Sequence, residues 1–414
     1  MATEETQVLV AGAGASGLMA AIECAKNGKK VVVIEHKEKP GKKILATGNG
    51  KCNFTNSYFV PECFRSDRSD LAWNALSIFG TEDSISYFEK LGVLAKEKNG
   101  YYYPNSGQAA TILEALLHEA KRLGVTICCL EKLKNIEKKE DLFYVETDSR
   151  IIKAEKVILS VGGKAAPKLG TEGNGYKIAR KFGHTVFPTV PALTGLQCQG
   201  SYFKDWAGVR TDGRIVIYID GSAVAEDSGE LQLTNYGVSG IPVFQISRFA
   251  SKAFYDKKDN RKVEVHLDFL PFMTKEDCIQ WIEKAKQENP QKSVMELTSG
   301  MLNQKLAKVW LQQCHMAESE KIGAISKQQI EQMTDVIKEW KLLVEDSNGF
   351  DQAQVTAGGI SLEEIQMDTM ESKKVKGLYF TGEILDVDGI CGGYNLQWAW
   401  TSGYIAGQAA GGRV

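Results

Sequence analysis

A short unbroken apolar run, Val8, Leu9 and Val10, leads into glycines at positions 12, 14 and 17, and this is the sharpest pattern in the chain. A run of that length suits a strand buried on both faces. Leu18, Ala21, Ile22 and Ala25 then recur at the spacing of one helix face, and Gly28 falls where a left-handed cap ends such a helix. Residues 31–34 form a second buried strand that stops at Glu35. Further on, residues 81–91 and 109–123 have amphipathic helix periodicity, and the second is followed by a strand at 125–130. Between them residues 99–108, with three tyrosines and a proline, read as a turn-rich loop. Residues 143–147 and 151–153 alternate as a hairpin. Residues 156–161 form another buried strand, ending at Gly162 and Gly163, and 170–184 hold a glycine-rich turn and a short helix.

The pattern changes near Pro188. Strand-like segments at 195–198, 214–219, 230–234 and 262–267, separated by turn residues, predict a largely β region. Residues 233–242 carry too much glycine for an ordinary strand. From 274 to 340 the periodicity is helical: Ser326 and Gln329 form a capping-box pair, and Ile330, Met333, Ile337 and Trp340 follow on one face. Strand and glycine return at 354–360. Residues 378–381 predict a last buried strand, with Glu383 and Asp388 beyond it, and Gly389, Gly392 and Gly393 open a helix of small residues.

Gly12, Gly14 and Gly17 have the GxGxxG spacing of a dinucleotide clamp. Gly12 allows the tight turn, Gly14 the close approach of a pyrophosphate, and Gly17 the packing of helix on strand. The helix N-terminus supplies unpaired N–H groups and a partial positive charge for the phosphates. Glu35 stands where a carboxylate accepts from an adenosine ribose. Residues 41–56 read as an extended glycine-rich loop in which Lys43, Thr47 and Asn53 offer donors. Cys52 has no partner at position 57, which is Ser57, so a flavin-linked dithiol is not expected.

Composition sets limits. The 414 residues are 43% hydrophobic and 25% charged, enough for two or three domains, and the formal net charge of -2 leaves no basic footprint for nucleic acid. Acidic Glu4 and Glu5 precede the charge-free run at 8–22, which argues against an export signal, and no apolar stretch reaches the ~18 residues of a membrane span. The nine cysteines are then expected as reduced thiols in a cytoplasmic protein. His315 has no partner at metal-ligand spacing, so no metal is expected.

Three blocks, GAGASGLMAAI with Glu35, GKKILATGNGKCNFTN, and AQVTAGGI with YFTGEILDVDGICGGYNLQWAWTSGYIAG, closely resemble the bacterial NAD(P)/FAD-dependent oxidoreductase flavoproteins that include the 3-dehydro-bile-acid reductases. The resemblance runs along essentially the whole chain, including ELQLTNYGVSGIP. It implies an α/β fold whose Rossmann-type FAD domain is split between both chain ends, 1–188 and 353–414. Inserted between them are a β-barrel-like domain, 189–272 completed at about 341–352, and a helical domain, 273–340. It implies non-covalent FAD, with Gly12, Gly14, Ser16 and Gly17 at the pyrophosphate, Glu35 at the ribose, and Ala15, His36, Gly382 and Gly392 also among the cofactor-binding residues. Lys43, Thr47, Gly48, Gly50, Cys52 and Asn53 would run beside the flavin, Gly162 and Gly163 near the nucleotide, Glu383 at the ribityl chain, and Asn395 and Leu396 at the ring. Family members more often have GGGRCN where this chain has GNGKCN, and an aromatic near Ala166.

The activity this implies is reduction of a C=C bond conjugated to a carbonyl in a small apolar, steroid-like substrate. No residue is singled out as catalytic; Tyr102, Tyr103 and Tyr236 qualify by type alone. The other reading is a flavoprotein acting on a macromolecule such as RNA, or a flavin-bound module without turnover, and the balanced charge disfavours it. No second dinucleotide motif is present, so NAD(P)H is expected as a transient reductant sharing one flavin face with the substrate, in a ping-pong cycle whose pocket the inserted regions wall.

Overall fold

The computed structural model describes residues 3–255 and 261–413. Five parallel strands form the centre of the main sheet in the spatial order Leu378–Phe380, Ile151–Leu159, Thr3–Ala11, Val31–Ile34, Thr126–Cys128. Numbered in chain order and read from the Thr126–Cys128 edge, the five run 3-2-1-4-5, the order of a doubly wound nucleotide-binding sheet. Val8, Leu9, Val10 and Ala11 are almost wholly buried, as are Val31 to Ile34, which is why both runs lack polar alternation. An antiparallel ribbon, Leu133–Lys139 and Leu142–Thr147, continues from the first half of Ile151–Leu159. What reads as a hairpin arm and a separate strand is thus one nine-residue strand, antiparallel to one neighbour and parallel to another.

The helix Ala15–Lys26 covers the first strand, and the last helix, Tyr394–Gly411, packs on it. The contact depends on Gly403 and Gly407. A Cβ on Gly403 would lie 2.4 Å from the Ser16 carbonyl oxygen, and one on Gly407 2.6 Å from Glu23 Cβ. Absent side chains let two backbones approach where ordinary residues would hold them apart.

Chain contacts divide the protein into two units, one of residues 1–189 with 354–414 and one of residues 190–353. The second contains a closed six-stranded antiparallel barrel, in the order Leu196–Cys198, Gly237–Gly240, Ser222–Leu233, Arg210–Ile219, Val263–Asp268, Trp340–Ser347. Helices Lys275–Glu288, Val294–Thr298, Gln304–Gln313 and Lys327–Lys338 lie between its last two strands, and capping boxes at Thr274, Ser293 and Ser326 begin three of them. The architecture is the α/β one expected: a Rossmann-type sheet, a barrel and a set of helices.

Several local expectations are corrected. Gly237–Gly240 is a barrel strand despite its glycines, and the helix Ile241–Tyr255 follows it, burying Val243, Ile246 and Ala250. Trp340 opens a strand instead of ending a helix stripe, since the helix stops at Lys338. Residues 99–108 are not all loop: Ala95–Lys98 and Tyr101–Pro104 pair as a hairpin. Asn99 and Gly100 between them both adopt positive φ, 54° and 87°, the two-residue turn that matches strand twist. The stretch 41–56 is not extended either. It holds the short helix Lys42–Ala46 and a turn in which Gly48 and Asn49 are left-handed.

Candidate functional site

In a doubly wound sheet ligands sit beyond the carboxyl ends of the strands, where the strand order reverses. Here the reversal lies between Thr3–Ala11 and Ile151–Leu159, whose ends are level, Ala11 beside Leu159 and Leu159 beside Phe380. Three connections leave this edge together. Gly12, at φ 104°, crosses so close to the next one that a Cβ would stand 2.4 Å from the Ser160 carbonyl oxygen. Ser160 Oγ is in turn 2.6 Å from Thr381 Oγ1. Gly17 fits under Gly12, with 1.9 Å between its Cβ position and the Gly12 oxygen, whereas a Cβ on Gly14 would meet nothing within 4 Å. Two of the three glycines therefore serve packing, and the third leaves open space at the N-terminus of the helix Ala15–Lys26. No side chain caps that end and no acid lies in its first turn, so its dipole and N–H groups are left for an anion. Ser16 is buried there against Gly382.

Glu35 closes one side. Its Oε2 accepts from Ala13 N at 3.0 Å and its Oε1 from Lys37 N at 2.9 Å, with His36 Nδ1 3.2 Å away. Burial alone would raise its pKa, but the hydrogen bonds from His36, Lys37 and Ala13 outweigh it and the net shift is downward, so the carboxylate stays ionised. With a folded pKa below the unfolded one, its stabilisation is complete above the ordinary carboxylate range and disappears as pH falls through the lowered value. In Glu35→Gln one backbone N–H must face an amide N–H, an unmade bond costing about 1–3 kcal/mol. The variant should melt lower at neutral pH, and its melting temperature should fall less steeply on acidification through the carboxylate range. Equal slopes for both proteins in a thermal melt series would show that Glu35 is not the titrating group.

On the other side Lys43 Nζ lies 2.5 Å from Glu383 Oε2, while Glu383 Oε1 accepts from Thr356 N at 2.9 Å. Thr356 Oγ1 accepts from the N–H groups of Lys164 and Ala165 at 2.8 and 3.0 Å. Gly163 runs so tightly along this node that its Cβ would be 2.4 Å from Thr356 Oγ1 and 2.8 Å from Glu383 Oε1. Three distant segments are thus tied through one carboxylate, and a fourth, around Lys164, through the Thr356 hydroxyl. Beyond it, a Cβ on Gly48 would lie 3.1 Å from Asn53 N, and one on Gly393 2.9 Å from Asn53 Oδ1, so Asn53 joins the Thr47–Gly50 turn to the start of the last helix. That helix also begins without a side-chain cap or an acid in its first turn. Asn395 turns its amide back on Gly389, with bonds of 2.9 and 2.8 Å, and Leu396 packs on the core. Thr47 Oγ1 bonds the Ile44 carbonyl at 2.6 Å. Cys52 is buried, its thiol pushed up to about 11 by desolvation. Gly50 lies in the turn with Gly48, Gly162 abuts Thr171, and Gly392 abuts Tyr394.

Most of the residues expected from the sequence therefore gather around one sheet edge, including Lys43 and Glu383 from opposite ends of the chain. Tyr236 belongs to the 190–353 unit. Thr356, Ser160 and Thr381 are participants to which the sequence reading gives no role, although Thr356 and Thr381 lie inside the AQVTAGGI and YFTGEIL blocks. The signal for Thr356 is a hydroxyl between Val355 and Ala357 in a wholly buried strand. Among the described residues no group of three or more His, Cys, Asp or Glu is placed to hold a metal ion, and no helix is long and apolar enough to cross a membrane.

Comparison with known proteins agrees with the Rossmann-type fold. The family described as HI0933-like protein Rossmann domain matches residues 6–409. The chain belongs to this family. It is a flavoprotein oxidoreductase family that includes a bile-acid reductase, as the sequence resemblance implies. The 3-dehydro-bile acid delta(4,6)-reductase of Clostridium scindens is 42% identical over 403 residues, 97% of this chain and 98% of the relative. A ribosomal RNA dihydrouridine synthase of Haemophilus influenzae is 32% identical over 409 residues, 97% of this chain and 98% of the relative. Among solved structures, a flavocytochrome c3 fumarate reductase in its open conformation superposes with a TM-score of 0.51 at 17% identity, covering 99% of this chain and 78% of that one, a likeness of fold.

Proposed function

We propose that this protein is an FAD-dependent oxidoreductase that uses NAD(P)H to reduce a C=C bond conjugated to a carbonyl in an apolar, steroid-like molecule. The observation that carries the reading is the 42% identity to a bile-acid reductase along 97% of the chain. The residues present fit the cofactor. The Gly14 cradle and the uncapped helix end suit a pyrophosphate, Glu35 suits the ribose, and Glu383 suits the ribityl hydroxyls. Among the described residues Asn53 Oδ1 and His36 Nε2 are buried without a hydrogen-bond partner, and a bound dinucleotide would supply one. The Thr47–Asn53 and Gly392–Leu396 stretches would flank the ring. When bound, FAD accepts a hydride and passes it on at N5; the protein's part is to orient the cofactor, exclude water and place donors where charge develops.

The test is direct. The protein should purify yellow, release FAD on acid precipitation, lose its colour with NADH, and regain it when a 4-en-3-one steroid is added without oxygen. Lacking a second GxGxxG unit, the chain must admit reductant and acceptor to one face, because hydride transfer needs reacting atoms within about 3–3.5 Å. Initial rates at several fixed acceptor concentrations should give parallel lines, with excess acceptor competing against NAD(P)H. Intersecting lines would point to a separate nicotinamide site.

A second reading has its own support in the 32% identity to a ribosomal RNA dihydrouridine synthase, whose name places the reduced double bond in a uridine of RNA. The near-neutral charge disfavours it, since RNA binding draws much of its affinity from phosphate neutralisation. Reoxidation of the NADH-bleached protein by ribosomal RNA and not by a steroid enone would decide for it.

A further inference from the structure

We infer that Tyr103 is the proton donor of the reduction and that Tyr101 stands beside it on the same wall of the site; this rests on the ene-reductase reading above. In the strand Tyr101–Pro104 side chains alternate between two faces, so Tyr101 and Tyr103 share one and Tyr102 takes the other. Tyr102 packs inward, its ring centroid 6.5 Å from that of Phe54. Tyr103 faces the left-handed turn, with its Cε1 3.9 Å from a Cβ placed on Gly48. Tyr101 faces the start of the last helix, with its Cε1 3.2 Å from a Cβ placed on Gly392. Asn53 bridges those two glycine stretches, so turn, amide, helix start and both rings form one continuous arc. All three tyrosines are half-buried, and among the described residues no protein group hydrogen-bonds the Tyr101 or Tyr103 hydroxyl. The structure thereby separates candidates that residue type alone does not, and adds Tyr101 to them.

The chemistry asks for a group of this kind. Bound FAD in its reduced form would supply a hydride, with its electron pair, to the β-carbon, and the π pair of the double bond would move toward the carbonyl. The α-carbon then takes a proton. Breaking the Tyr103 O–H bond supplies it, and the phenolate left behind is reprotonated by water. Burial, with the neighbouring Tyr101, raises the Tyr103 pKa, so the phenol remains protonated through the neutral range. A half-buried phenol also offers an aromatic face to an apolar ring substrate while its hydroxyl stays polar.

The experiment uses FAD-loaded protein in stopped flow, with bleaching by NADH and reoxidation by a 4-en-3-one steroid measured separately. Tyr103→Phe should slow reoxidation about 100-fold relative to bleaching, the range of general acid catalysis, and Tyr101→Phe should slow it less. A phenolic steroid, whose phenolate resembles the enolate, should bind oxidised Tyr103→Phe holoprotein about tenfold more weakly in equilibrium dialysis, a readout without turnover. Wild-type reoxidation rates and phenol affinity in Tyr103→Phe would overturn the assignment and leave the proposed function standing. Wild-type protein that NADH bleaches but the enone cannot reoxidise would overturn both.

Discussion

Gly14→Val should yield a folded, colourless protein. At the other two glycines of the clamp a side chain meets the protein itself: the Cβ position is 1.9 Å from the Gly12 oxygen at Gly17 and 2.4 Å from the Ser160 oxygen at Gly12. At Gly14 it meets nothing within 4 Å, and the backbone there, φ -86° and ψ -167°, is extended and open to any residue. A side chain at this position therefore starts into open space, the space that the proposed pyrophosphate would need. Circular dichroism and melting of the variant should match the apo wild type, while FAD content falls from stoichiometric to undetectable. Retention of FAD with wild-type affinity would remove the dinucleotide from this turn. Loss of fold would mean that Gly14 serves packing, as Gly12 and Gly17 do.

Gly403→Ala should destabilise the protein, although helix propensity points the other way. Replacing a glycine inside a helix by alanine normally gains about 1 kcal/mol. Here the new methyl would lie 2.4 Å from the Ser16 carbonyl oxygen and 3.0 Å from Met19 Cβ, and neither the buried first helix nor the last can retreat without loosening the core. Overpacking of this kind costs about 1–3 kcal/mol, and the clash is with backbone, so the upper end is expected and the packing term wins. Each kcal/mol lowers the melting temperature by about 2–4 °C in a domain of this size. Because Ser16 lies in the clamp, FAD affinity should fall with stability. A higher melting temperature would show that the helices are free to separate and that the short contact is not enforced.

Much of the cofactor half is legible in the amino-acid sequence. Short apolar runs, the 3.6-residue stripe of the first helix, the GxGxxG spacing, Glu35 at its distance and the capping box at Ser326 and Gln329 all report local backbone geometry and burial, which a chain encodes within a few residues. The Asn99–Gly100 turn is equally local, but the turn residues Pro104 to Gly107 just after the three tyrosines give the whole stretch the look of a loop and hide the hairpin. Trp340 misleads for another reason: an apolar residue in step with a helix face can equally begin the next strand.

Local pattern is enough to require a strand, turn and helix presenting an uncapped N-terminus, a carboxylate, Glu35, at the end of the next strand, and an α/β chain interrupted by β and helical segments. The meeting of Gly12, Ser160 and Thr381 is a property of the folded chain, since it requires the 3-2-1-4-5 order of strands that lie far apart in sequence. Folding likewise pairs Lys43 with Glu383, ties both to Thr356, and turns Tyr103 rather than Tyr102 toward Gly48. The reason is physical: periodicity states which face of an element is buried, but not which other face buries it, and a site assembled from strand ends exists only once those faces have chosen one another.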